Sequence, residues 1–166
     1  MHPLLDPYAN LLHATAVSAL LRSQENWLWP TCETLHFFGL ALLIGTAGFF
    51  DLRLLGLARR VPMSVAREFM PVGIFGFSLN VVTGVLFFVA EPGQYMASLT
   101  WWAKVASLVV SGLNAAILEK TQRARLLALR NGEDTPLSFK IFGGVSLVAW
   151  CAVLFFGRMI PYLDPQ

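Results

Sequence analysis

The sequence predicts an all-α integral membrane protein, a four-helix bundle with an N-terminal amphipathic helix lying in the interface. Three observations predict it. Hydrophobic residues make up 56% of the chain and charged residues 13%, where soluble domains carry about 25% charged residues. The apolar residues fall into blocks about 20 residues long, the length a helix needs to cross hydrocarbon. The basic residues gather between alternate blocks rather than evenly. At 166 residues the chain has the length of one domain, residues 1–166.

The chain opens with Met1-His2-Pro3-Leu4-Leu5-Asp6-Pro7. This stretch has no basic n-region and no long apolar core, so no cleaved signal peptide is expected. From 7 to 22, Tyr8, Leu11, Leu12, Ala16, Ala19 and Leu20 recur near helical spacing, interrupted by His13, Thr15, Ser18 and Arg22. That segment is too short and polar to span. It reads as one amphipathic helix in the outer interface.

The first span is expected over 31–50, after Trp29-Pro30, with proline suited to a first helical turn. It stops at Asp51-Leu52-Arg53, which reads as a structural pair or a stop signal. Residues 62–70 predict a short interfacial helix on the opposite side. The second span, 71–90, carries no charge and ends at the turn signal Glu91-Pro92-Gly93. The third, 98–118, contains Lys104. The fourth, 141–160, follows Asp134-Thr135-Pro136, a cap with proline at the first helical position. Spans one and three each end in an acid followed by a basic, leucine-rich tail, the pattern two duplicated hairpins would leave.

Arg53, Arg59, Arg60 and Arg67 follow span one, and Lys120, Arg123, Arg125, Arg130 and Lys140 follow span three; these are nine of the twelve basic residues. The turn at 91–97 has none. The positive-inside rule then puts both basic loops in the cytoplasm of a bacterial inner membrane and both termini outside. Trp27, Trp29, Tyr95, Trp101, Trp102 and Tyr162 fall at the outer boundary as an aromatic belt. A net charge of +2, with its bases interleaved among leucines, excludes nucleic acid as a partner. Cys32 and Cys151 match neither a disulfide framework nor a metal spacing and read as small buried hydrophobes.

Ionisable groups within spans are costly, about 2.5–3.5 kcal/mol at the bilayer centre on insertion scales, and so mark candidate sites. Glu33 and His36 lie three residues apart on one face at the outer end of span one. Lys104 enters span three from the outside and Arg158 sits near the outer end of span four. Asn80 lies mid-span in helix two, and Asn114 in the inner half of span three. His36 is the single intramembrane histidine. A neutral imidazole ligates iron, copper or zinc when its other nitrogen is held by an acceptor, and Glu33 is placed to be that acceptor. Hydrogen bonding across helices explains the same histidine without a ligand. Lys104 either snorkels past Trp101 and Trp102 or faces the interior as a cation for Glu33 or an anionic ligand. Arg158 reads as an interfacial anchor, and Glu33 also suits a helix N-terminus. Gly39, Gly45, Ala47 and Gly48, with Gly73, Gly76 and Gly84, permit close helix approach or room for a flat ligand. No phosphate-binding glycine loop and no serine–histidine–acid set is present at a defensible spacing.

Two resemblances follow from these residues. Glu33-Thr34-Leu35-His36-Phe37-Phe38-Gly39-Leu40, with Asp51-Leu52-Arg53-Leu54-Leu55-Gly56, Trp29-Pro30 and the stretch from Trp102 to Asn114, resembles an uncharacterised family of bacterial four-span membrane proteins, a likeness that implies no activity. More distantly, His36, Arg53 and Trp101 or Trp102 with Lys104 resemble the HemJ-type protoporphyrinogen oxidases and the CopD-type copper-resistance membrane proteins. That likeness implies haem b at His36 with Lys104 nearby. The lack of further intramembrane histidines argues against direct porphyrinogen oxidation.

The expected function is therefore haem b binding in the outer half of the bundle. His36 is the metal ligand, Lys104 or Arg158 sits near the propionates, and Glu33 and Asn80 stand alongside, in the service of electron transfer or haem-linked redox chemistry. Two other readings use the same residues. One is a non-enzymatic structural or assembly subunit that self-associates or joins another membrane protein. The other is a copper or small-solute permease, for which span two supplies only Ser78, Asn80 and Thr83 as a polar path.

Overall fold

The computed structural model describes residues 6–23, 27–129 and 132–163. Arg130 of the second basic loop and both chain ends lie outside the described residues. Within them the chain is helical throughout: α1 (Asp6–His13), α2 (Ala16–Arg22), α3 (Leu28–Leu54), α4 (Met63–Glu68), α5 (Met70–Ala90), α6 (Pro92–Ala97), α7 (Leu99–Leu127) and α8 (Leu137–Leu163). The helices α3, α5, α7 and α8 are long and apolar enough to cross a membrane. They exceed the expected spans because hydropathy ends before the helices do. The backbone goes on to the caps, carrying Asp51, Arg53 and Glu119 on continuous helix.

The surface fits a hydrocarbon solvent. Phe37 (64% exposed), Ile74 (64%) and Val148 (70%) point outward along the long helices. A continuous outward belt of this kind is what hydrocarbon stabilises and water does not. The protein is a multi-pass membrane protein. Of the two cysteines, Cys32 is buried as expected, whereas Cys151 is exposed on α8, because that helix is apolar all round and its sequence does not mark the side turned outward.

The expected single amphipathic helix over 7–22 is two. Thr15 breaks it, adopting an extended conformation and accepting the Ser18 N–H on its side chain at 3.2 Å, the N-cap of α2. Ser18 is buried and donates to the Ala90 carbonyl (3.2 Å), which ties α2 to the end of α5.

α3 packs on α5, α7 packs on α8, and α3 joins the two pairs through α8. Glycines make these approaches. A Cβ on Gly76 would meet the Gly39 carbonyl oxygen at 2.6 Å, and one on Gly143 would meet the Asp51 carbonyl oxygen at 2.9 Å. Gly45 and Gly48, which share a small-residue stretch with Gly39, take no part: a Cβ on either would have nothing within 4 Å.

The end carrying the basic loops is tightly built. α3 closes with a Schellman motif: Leu57 N–H donates to the Leu52 carbonyl (3.0 Å) and Gly56 N–H to that of Arg53 (3.1 Å). Gly56 is at φ +84°, a conformation glycine adopts without strain. Arg53 and Asp51 are not a pair. Arg53 is fully buried and reaches the loops, donating from Nε to the Val61 carbonyl (2.7 Å) and from Nη1 to Thr135 Oγ1 (3.1 Å). Asp51, 3% exposed, turns toward Ser146 of α8. Two residues apart on a helix, their side chains leave on different faces. Asp134 gathers Arg59 (3.3 Å) and Lys140 (3.0 Å), and the hydrogen bond from Lys140 holds its carboxyl below the usual aspartate range. Arg67, at the end of α4, makes a two-pronged bond to Glu119 of α7 at 2.9 and 3.0 Å.

Candidate functional site in the bundle cavity

At the end opposite the basic loops, α3, α5, α7 and α8, with α2 and α6 at the rim, line a half-open cavity of about 1330 Å³. Ligand sites ordinarily occupy about 300–1,000 Å³. All five residues singled out from the sequence, Glu33, His36, Asn80, Lys104 and Arg158, line it. Their convergence follows from topology. α3 and α7 both enter the bundle at the α6 end, where their first turns stand beside the last turns of α5 and α8.

His36 is held by α5. Its Nδ1 lies 2.7 Å from Thr83 Oγ1, and Phe87 packs its ring at 5.4 Å from His36. Thr83 is 2% exposed, and its hydroxyl donates to the Leu79 carbonyl one turn back, at 2.7 Å. A hydroxyl has one hydrogen, so where Thr83 gives it to the Leu79 carbonyl it accepts from His36, and the imidazole proton is then on Nδ1. Nε2 then keeps its lone pair, with no second hydrogen bond to His36 among the described residues. Glu33, expected to orient the imidazole, does not: it is exposed and joins none of the described ion pairs. The acceptor is a threonine on another helix, and no spacing within α3 could reveal it.

Beside the imidazole, Gly84 leaves open space: a Cβ there would touch only His36 Cε1, at 3.9 Å. Gly84 is therefore a cavity glycine, unlike Gly39 and Gly76. Across the cavity Lys104 lies along α8, over Gly157, where a Cβ would stand 3.6 Å from Cδ and Cε and 3.8 Å from Nζ. Lys104 joins none of the described ion pairs. Arg158 leans on Tyr162, with Nη2 3.2 Å from its hydroxyl and the guanidinium 5.4 Å from its ring centre. Asn80 donates from Nδ2 to the Gly76 carbonyl (2.9 Å) and keeps its amide oxygen free of that bond. Tyr95 on α6 stands over the mouth. Burial, with the carboxylates of Glu91 and Glu33, pushes its phenol above the usual range, so it stays neutral.

The arrangement can hold one ligand with an apolar body, a nitrogen base on one wall and cations on the other. Among the described residues no three His, Cys, Asp or Glu side chains gather as metal ligands, so a metal would draw its remaining coordination from its own organic frame. No protein-family model, curated protein or solved structure matches the chain.

Proposed function

We propose that this is a bacterial inner-membrane protein that binds haem b in the cavity, for electron transfer or haem-linked redox chemistry at the outer face. The observation that carries the reading is the His36–Thr83 pair. With the Thr83 hydroxyl donating to the Leu79 carbonyl, the pair favours the tautomer whose Nε2 can ligate, as outer-shell acceptors do in metal sites. The residues fit the group. His36 would take the iron, Lys104 and Arg158 would face the propionates, and the methyl-free surface of Gly84 would lie against the macrocycle. Haem supplies one-electron chemistry at its iron. The chain supplies the fixed base, the cations, and an apolar lining of Phe77, Val81, Leu108 and Leu154.

Absorption spectra of the detergent-purified protein, oxidised and reduced and after haem reconstitution, test this. A Soret band lost in His36→Ala is expected, together with a haem affinity roughly 10–100-fold weaker in Thr83→Val, whose side chain cannot accept from Nδ1. A wild-type sample without that band, or a His36→Ala protein that binds haem equally, refutes the reading and leaves the assembly-subunit role.

Orientation belongs to the same proposal. The charge bias puts α6 and both termini outside. In a background lacking Cys32 and Cys151, Gln94→Cys should react with a membrane-impermeant thiol reagent on intact spheroplasts, and Arg60→Cys only after lysis. The reverse pattern would put the cavity at the cytoplasmic face.

A further inference from the structure

Among the described residues the backbones of α5 and α7 do not approach one another closely, and the two helices meet through side chains alone. At the α6 end their seam is bridged by aromatic rings: Phe88 stacks on Trp101 at 5.4 Å, and Tyr95 touches both, at 6.4 and 6.3 Å. At the other end Arg67 reaches from α4 to Glu119 of α7. Between these two closures the cavity wall is Val81 and Val85 on one side and Val105 and Leu108 on the other. Val81 and Val85 are 47% and 55% exposed. The cavity thus has a window in its side, framed by aliphatic residues at the depth of hydrocarbon. What passes such a window comes from the bilayer.

Inside stands Lys104, which among the described residues is paired to no carboxylate. An ammonium in a low-dielectric site is costly unless compensated, so Lys104 holds its charge there when the occupant brings the counter-charge. The route constrains what that anion is. A carboxylic acid crosses hydrocarbon in its neutral form and can pass its proton to the uncharged Lys104 amine, which leaves carboxylate and ammonium side by side. A phosphodiester headgroup is charged throughout, and an ester brings no charge.

We propose that the cavity admits a membrane-dissolved, carboxylate-headed amphiphile through the α5–α7 window and seats the carboxylate on Lys104. This deepens the haem reading, in which the propionates are such carboxylates. It rests on the same cavity but assigns the route and the anchoring charge, neither of which involves His36.

The test uses the full chain in phosphatidylcholine nanodiscs and reads quenching of its tryptophan fluorescence, since Trp29, Trp101 and Trp150 line the cavity. The probes are dibrominated stearic acid and its methyl ester. The acid should quench saturably and the ester only in proportion to its partitioning. Lys104→Gln should raise the acid's midpoint about tenfold or more, the loss of a charge contact worth about 1.4 kcal/mol, and Lys104→Arg should restore it. Val85→Phe, which narrows the window and leaves Lys104 in place, should slow the onset of quenching several-fold and keep its endpoint. It serves also if Lys104→Gln does not fold. Equal quenching by acid and ester, or an unmoved midpoint in Lys104→Gln, overturns the anchoring charge. An unmoved onset in Val85→Phe overturns the route. His36→Ala separates the two proposals. If haem binding is absent while saturable acid quenching persists in wild type and in His36→Ala, the haem reading fails and this one stands. A Soret band indifferent to Lys104→Gln, without acid quenching, overturns this proposal and keeps the haem reading.

Discussion

Replacing Gly76 by alanine should destabilise the protein and loosen the site together, because α3 and α5 meet backbone to backbone there. The added Cβ would stand 2.6 Å from the Gly39 carbonyl oxygen, 2.9 Å from the Leu43 nitrogen and 2.9 Å from Leu42 Cβ. None of these is the end of a flexible side chain, so the clash cannot be relieved by a rotamer. α3 must retreat by roughly 0.8 Å before the closest contact becomes ordinary, and the lost dispersion is shared along the whole interface. Overpacking of this kind costs about 1–3 kcal/mol, and the better helix propensity of alanine returns at most about 1 kcal/mol. A net loss of about 1–2 kcal/mol should lower the midpoint of thermal unfolding in detergent by about 2–8 °C for a chain of this size. Gly45→Ala is the matched control: nothing lies within 4 Å of its Cβ position, so it should be neutral or stabilising by up to about 1 kcal/mol. The retreat also pulls His36 from Thr83, whose 2.7 Å contact spans the same two helices. Ligand binding should therefore weaken in Gly76→Ala and hold in Gly45→Ala. If circular dichroism melts show the two variants equally stable, the α3–α5 contact is not where the bundle is tight, and the reasoning fails.

Two further outcomes concern the basic-loop end. Arg53→Met keeps the aliphatic stem and strands the Val61 carbonyl, at about 1–3 kcal/mol for a partner left unsatisfied, while the Thr135 hydroxyl loses a donor and keeps its bond to the residue-53 carbonyl. Arg53→Lys should not rescue it, since an ammonium cannot span two partners as the guanidinium fork does. Faster proteolysis in the 55–62 loop in both variants is the readout, and wild-type resistance in either would refute the role. Asp134→Asn should weaken the tie between the two basic loops at neutral pH. The folded carboxyl is held below its ordinary value by Lys140 and Arg59, so its contribution is present above the ordinary aspartate pKa, about 3.9, and lost as pH falls through the lowered one. The difference between wild type and Asp134→Asn should therefore persist at pH 5 and vanish only below about pH 4. A difference unchanged at pH 2.5 would mean the charge is not what Asp134 contributes.

Much of the architecture is legible along the chain because a bilayer imposes one-dimensional constraints. Hydrophobic length places four helices, and alternation of basic and neutral loops orders them. Those two facts bring Glu33, His36, Lys104 and Arg158 to a common depth without any knowledge of packing, and the structure has them lining one cavity with Asn80. What a depth cannot give is azimuth. Whether a residue faces a neighbouring helix, the cavity or lipid depends on which helices pair and in what register, and α3 and α5 are apolar nearly all round, so no amphipathic stripe announces their buried sides.

The misreadings share that origin. Glu33 is adjacent to His36 along α3, yet the imidazole is held by Thr83, which is 47 residues away and becomes a neighbour only once α3 lies on α5. Asp51 and Arg53 look paired because opposite charges sit two residues apart, although a helix sends them to different faces. Gly76 and Gly84 are alike by residue type, suited to close helix approach or to a flat ligand, and only packing divides them: Gly76 meets backbone while Gly84 borders open space. The window between α5 and α7 is the extreme case. It is a helix pair whose backbones do not approach closely, and neither the hydropathy of α5 nor that of α7 distinguishes a valine facing lipid from one framing an opening. The chemistry of the site is thus written in residue types and depths, while its selectivity, meaning which nitrogen is free and which cation is unpaired, is written in helix pairing alone.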